Sequence, residues 1–299
     1  MTVHHRLAEV LGRRVFYREA GDPAAPAVVL LHGTPASSHM YRNLIPALAD
    51  RFHVVAPDYP GFGHSDVPGT ADFAYTFDNL ADHVDALLDS LGVRRYALYV
   101  QDYGAPVGWR LALRHPERIS AIVTQNGNAY VEGFVGDAME PLFAYGRDRT
   151  EVNAAALREL ISPAGLEWQY THGVSDPTVV DPDAWVNAHA AVAATTEKVA
   201  AQLELFADYA SNVELYPRLH EYFRSSQVPL LAVWGRRDEI FGPAGALAFG
   251  RDLPAAEINL LDGGHFLLES RLPEVVSLIR PFLARHAAST PVDLVPEPV

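Results

Sequence analysis

Residues 96–113 constrain the fold of this chain more than any other stretch. An apolar run that favours β-structure, Tyr96-Ala97-Leu98-Tyr99-Val100-Gln101, ends abruptly at Asp102 and the small-residue turn Tyr103-Gly104-Ala105. A helix-like segment from Val107 to Leu113 follows at once. A strand that turns so sharply into a helix lifts the side chain at the corner above the carboxyl edge of a parallel sheet. Asp102 holds that corner.

Strand and helix signals alternate on either side of it. Residues 14–19 and 27–31 read as strands, 41–48 as a helix, 52–56 as a strand and 77–88 as the helix that leads into the corner strand. The strand after the corner helix is 119–124. Continuous apolar strands between helices predict a parallel sheet covered on both faces. After Asn128 the rhythm changes. Residues 130–222 read as mostly helix, with breaks near Ser162-Pro163 and Ser175-Asp176-Pro177, before alternation resumes at 229–235 and 257–261. The expected organisation is a core of 1–128 and 223–288, an inserted helical cap of 129–222, and a frayed proline-rich tail of 289–299.

Open α/β sheets gather reactive groups beyond the carboxyl ends of their strands, and four motifs fall there. In Leu31-His32-Gly33-Thr34-Pro35 the glycine permits close backbone approach, so the amides of Thr34 and Tyr103 are candidates for an oxyanion hole; the ordinary alternative is a strand-ending turn. Asp102 is ionised at neutral pH, needs no base to activate it, and suits displacement at a saturated carbon that leaves an ester on the enzyme. Its ordinary alternative is an N-cap. Asp238, in Trp234-Gly235-Arg236-Arg237-Asp238, is placed to orient an imidazole and stabilise its protonated form, or else to cap the helix after Pro243. His265 follows a glycine pair in Leu261-Asp262-Gly263-Gly264-His265. Taken together, the motifs predict a triad of Asp102, Asp238 and His265.

Composition narrows the remaining classes. At 299 residues with 49% hydrophobic and 20% charged residues, the chain can bury one large core or a core with a lid. A formal net charge of -14 argues against nucleic acid or acidic membranes as partners. Neither a signal peptide nor a bilayer-spanning stretch is evident, so a cytoplasmic enzyme without a membrane partner is expected. With no cysteine, thiol nucleophiles and thiolate metal sites are excluded. His4, His5, His32, His83, His115, His189 and His220 are scattered without a His-Glu-x-x-His pattern, and no glycine-rich cradle follows the first strand. No metal and no cofactor are expected; the sequence leaves the oligomeric state open.

On these residues the chain resembles the α/β-hydrolase superfamily from about residue 10 to about residue 285. Its order of nucleophile, acid and base is similar, and 58–66 looks like that family's loop after the fourth strand. An aspartate at the elbow resembles the branch containing epoxide hydrolases and haloalkane dehalogenases. The resemblance implies an α/β-hydrolase fold, a mostly parallel eight-stranded sheet flanked by helices with an inserted cap. It also implies two steps. Asp102 attacks carbon to form an alkyl-enzyme ester; His265, held by Asp238, then deprotonates a water that attacks the ester carbonyl while the Thr34 and Tyr103 amides hold the oxyanion.

Epoxide hydrolases of this branch protonate the opening oxygen with two cap tyrosines, and the resemblance puts Tyr145 and Tyr209 in those positions. Simple packing is the ordinary alternative in a chain with 13 tyrosines, and Tyr130, Tyr170 and Tyr216 are substitutes if the cap register differs. Haloalkane dehalogenases typically carry tryptophan after the nucleophile and a second halide donor from an oxyanion-loop asparagine or a cap tryptophan. Tyr103 and Thr34 stand at the first two positions here, although Val100-Gln101-Asp102 looks more like that elbow and Trp168 or Trp185 is a cap candidate. Fluoroacetate-type dehalogenases place arginine where this chain has Tyr103, which weakens a carboxylate substrate. Glu132 is an alternative acid. The leading expectation is opening of small apolar epoxides to vicinal diols. Carbon–halogen hydrolysis, ester or lactone hydrolysis by directly activated water, and a non-catalytic ligand-binding protein are the alternatives.

Overall fold

The computed structural model describes residues 2–288, so the tail expected at 289–299 lies outside the described residues. Eight strands form one sheet: β1 (His4–Val10), β2 (Arg13–Ala20), β3 (Ala27–Leu31), β4 (His53–Pro57), β5 (Tyr96–Gln101), β6 (Ile119–Gln125), β7 (Leu230–Gly235) and β8 (Glu257–Leu261). Their spatial order is β1-β2-β4-β3-β5-β6-β7-β8. The β1–β2 and β2–β4 pairs are antiparallel, and every pairing from β4 to β8 is parallel.

Strands β3 to β7 are buried along their whole length because helices cover both faces. That explains their unbroken apolar sequences: successive side chains alternate between two cores. Val29, Leu31, Leu98 and Val100 join a core covered by α2 (Phe77–Ser90), α3 (Gly104–Arg114) and the later helix Pro243–Asp252. Val28, Leu30, Ala97 and Tyr99 face the opposite core, covered by α1 (Leu44–Leu48) and the final helix Leu272–His286. The helix expected at 41–48 is split into a 3-10 turn, Ser38–Tyr41, and the shorter α1. Pro46 lacks the amide that would bond back to Arg42, so it is accommodated in the first turn of α1, where that bond is not needed.

Six helices lie between β6 and β7: α4 (Glu140–Arg147), α5 (Glu151–Leu160), α6 (Pro163–Thr171), α7 (Pro182–Val192), α8 (Thr196–Asp208) and α9 (Ala210–Ser226). Four begin with a Ser, Thr or Asp side chain accepting a first-turn amide: Thr150, Ser162, Asp181 and Thr195. Helix α9 runs past residue 222 into the core, where Phe223 packs edge-on against Trp109 at 5.7 Å. It is followed by β7, α10 (Pro243–Asp252), β8, α11 (Leu267–Ser270) and α12 (Leu272–His286).

Candidate active site

Asp102 closes β5 with φ +48°, a left-handed conformation that a residue with a Cβ adopts only under constraint from its surroundings. Close approach on both sides supplies that constraint. A Cβ on Gly104 would lie 1.9 Å from the Leu31 carbonyl oxygen, and one on Gly33 would lie 2.2 Å from the Asp102 Cβ. Stripped of side chains at these points, the loop after β3 presses against the elbow. The Thr34 amide therefore donates to Asp102 Oδ1 at 2.7 Å and the Tyr103 amide to the same oxygen at 2.6 Å. Tyr103 precedes the first residue of α3, so the bond is not that of an ordinary N-cap, which reaches the second or third helical amide. Oδ2 is left facing His265, with Nε2 3.8 Å away.

His265 stands beyond β8 and is buried with Asp238, which follows β7. Its Nδ1 donates to Asp238 Oδ2 at 2.8 Å, leaving Nε2 directed to Asp102. The other oxygen of Asp238 caps its own turn, accepting from the amides of Ile240 at 2.8 Å and Phe241 at 3.2 Å. The helix after Pro243 is not capped by Asp238: its N-cap is Gly242, with no side-chain cap. Asn126, also at positive φ, donates to Asp238 Oδ2 at 2.6 Å and accepts from the Gly235 amide at 3.2 Å. Its role escapes motif reading. The only signal is a polar run, Thr124-Gln125-Asn126, closing an otherwise apolar strand. Gln101, read only as part of the elbow, brings its Nε2 to 2.9 Å from the Nε2 of His265.

Burial pushes the Asp102 carboxyl up to about 6, although His265 and the two backbone amides favour its charged form. Burial pulls the imidazole of His265 down, but the charge and hydrogen bond of Asp238, with the charge of Asp102, leave it above the usual histidine value. Both groups thus hold a proton more readily than their free counterparts, the carboxyl through burial and the imidazole through the carboxylates beside it.

A cavity of about 320 Å³ opens above Asp102. Its walls combine Pro35 and Phe241 from the core with Met139, Leu142, Ile161 and Phe206 from the inserted helices. Thr34, Tyr103 and Tyr209 are among its polar borders. Tyr209, at the junction of α8 and α9, shares a hydrogen bond with Tyr216, and burial raises its pKa far above the usual tyrosine value. Tyr145 does not border the cavity; the guanidinium of Arg149 lies 5.9 Å from its ring. Tyr130 donates to Asp252 at 2.9 Å, Tyr170 stacks on Phe266 at 3.9 Å, and Tyr216 sits behind Tyr209 with a hydrogen bond to Asn128. Trp168 borders the cavity and stacks on His172 at 4.6 Å, whereas Trp185 does not border it. Glu132 pairs with Arg251 at 2.7 Å on the surface. Among the described residues, no group of three or more histidine or acidic side chains is arranged to hold a metal ion, and no helix is long and apolar enough to cross a membrane.

A family model described as the alpha/beta hydrolase fold matches residues 26–272. The chain is 41% identical over 286 residues to an uncharacterized hydrolase of Saccharomyces cerevisiae, covering 94% of this chain and 97% of the yeast protein. It is 32% identical over 236 residues to haloalkane dehalogenase 2 of Mycobacterium tuberculosis, covering 77% of each. Among solved structures, epoxide hydrolase VrEH1 from Vigna radiata superposes with a TM-score of 0.75 at 25% identity, over 95% of this chain and 98% of that one.

Proposed function

The chain belongs to the α/β-hydrolase family and is related to haloalkane dehalogenases and epoxide hydrolases; from that premise we propose that it opens small, largely apolar epoxides to vicinal diols through a covalent ester on Asp102. The observation that carries this reading is the division of labour within one carboxylate. Two backbone amides hold Oδ1, while Oδ2, without such a bond, lies 3.8 Å from His265 Nε2, and the residue borders a largely apolar cavity. A carboxylate so held is already oriented for attack on carbon.

In the first step an oxygen of Asp102 displaces the epoxide oxygen from carbon, and that departing oxygen, as its C–O bond breaks, takes a proton from Tyr209. In the second, His265 removes a proton from water, whose oxygen adds to the ester carbonyl. The Thr34 and Tyr103 amides stabilise the resulting oxyanion. Collapse returns the carboxylate and frees the diol, and the proton taken from water balances the one lost by Tyr209. Esterification also primes the base. It removes the negative charge of Asp102, one of the influences raising the pKa of His265. With that charge gone, the neutral imidazole that can accept a proton from water is favoured.

Epoxide opening is favoured over carbon–halogen hydrolysis by hydroxyl donors at the cavity, Tyr209 above all, and by tyrosine rather than tryptophan after the nucleophile. The halide reading draws on Trp168, which reaches the wall, and on the mycobacterial relative. Single turnover in oxygen-18 water with enzyme in excess tests the mechanism, because an ester intermediate deposits label in the Asp102 carboxylate. Unlabelled Asp102 would overturn it. A styrene oxide and bromoalkane panel separates the two leaving groups: diol formation supports the proposal, and halide release in its place supports the second reading.

A further inference from the structure

Gln101 and Gln125 are register partners at the ends of β5 and β6, and both reach His265. Gln125 Nε2 donates to the His265 carbonyl oxygen at 3.4 Å, and its own oxygen accepts from the Tyr99 hydroxyl. Gln101 meets the reactive edge of the ring instead, with 2.9 Å between its Nε2 and the imidazole Nε2. Its side-chain oxygen is buried without a partner. A buried amide with one end on the catalytic nitrogen and the other unpaired is an arrangement that packing alone does not favour.

The carboxamide has a donor end and an acceptor end of nearly the same shape. When His265 is neutral, with its proton on Nδ1 facing Asp238, the lone pair at Nε2 accepts from the Gln101 amide. When His265 is an imidazolium, Nε2 carries hydrogen, and half a turn of the carboxamide presents the oxygen that is otherwise unpaired. Asp102, at 3.8 Å, is the other group that competes for that hydrogen. Resting on the ester mechanism, we propose that Gln101 is a positioning residue for the hydrolytic step: its carboxamide turns to match either state of His265 and keeps the ring from closing onto the nucleophile. The charged groups acting on His265 are Asp238, beyond β7, and Asp102, at the elbow. Gln101 adds no charge to them, so it serves both protonation states instead of favouring one.

Gln101→Met keeps length and apolar volume but removes both hydrogen-bonding ends. Rapid-quench kinetics with a styrene oxide, followed by intact mass spectrometry, resolves formation of the Asp102 ester from its hydrolysis. The expected result is hydrolysis slowed about tenfold with ester formation within about threefold of the parent, so that ester accumulates. Gln101→Glu offers only acceptors, and the pH limb of ester hydrolysis should move at least about one unit upward. A role confined to packing would move neither the ratio of the two steps nor that limb. If Gln101→Met hydrolyses its ester at the parental rate, the inference is overturned while the ester mechanism stands. If the parent forms no ester, the mechanism falls first and takes the inference with it.

Discussion

The ionised carboxylate of Asp102 is held where the fold would prefer a neutral group. Its pKa is raised from 3.8 to about 6 by burial, so the folded chain binds this proton more tightly than the unfolded one. The stability it contributes is fully present below 3.8 and is lost as pH rises through about 6. Asp102→Asn retains an oxygen for the Thr34 and Tyr103 amides and removes the buried charge. At pH 7 it should raise unfolding free energy by on the order of 1–3 kcal/mol, read as a higher melting temperature, while lowering turnover by at least ~10⁴-fold. In the parent, ester formation should fall away as pH drops through about 6, because a protonated Asp102 does not attack. The tyrosines divide in the same way. Tyr209→Phe should slow ester formation from epoxides by about 10–100-fold, and Tyr145→Phe, away from the cavity, should stay within about threefold of the parent. Sequence spacing presents these two tyrosines as equivalent. Their separation depends on how helices pack, since a helix turned by one residue swings a side chain through about 100°.

The elbow strand, the strands on either side of it and the long helices α2 and α3 were legible because each carries an apolar pattern decided by its own burial. Strand β1 was not, because an edge strand whose residues are mostly exposed has no apolar run to detect. The asparagine and glutamine at the end of β6 were equally silent, since their partners lie more than a hundred residues away in sequence. Arg110 is another such case. From α3 it reaches Asp78 on α2 at 2.9 Å, Asn212 on α9 at 2.7 Å and Ser211 at 3.0 Å, tying the elbow helix to the junction that carries Tyr209. Arg110→Met would strand the Asn212 oxygen in a buried site. We expect a loss of about 2–4 kcal/mol in urea unfolding, smaller than for a fully buried ion pair because Asp78 remains largely exposed.

At the scale of the whole molecule, the net charge of -14 finds a local counterpart at the cavity. Asp137 and Glu239 border it and are exposed, and no lysine or arginine lines it. Glycidate, an epoxide bearing a carboxylate, should therefore show a kcat/KM at least about tenfold below that of a neutral epoxide of equal size. The gap should narrow as salt is added and in the Asp137→Asn, Glu239→Gln double variant. Equal rates for the two epoxides at low salt would contradict this role of the rim. The dimensions of the cavity carry a separate consequence. A chamber of 320 Å³ holds the volume of about ten water molecules. In the proposed mechanism an organic fragment tethered to Asp102 would leave little of that space for the water that must release it. A bulky guest would thus be captured readily and discharged slowly, so the upper limit on molecular size is set at the exit from the cycle rather than at its entrance.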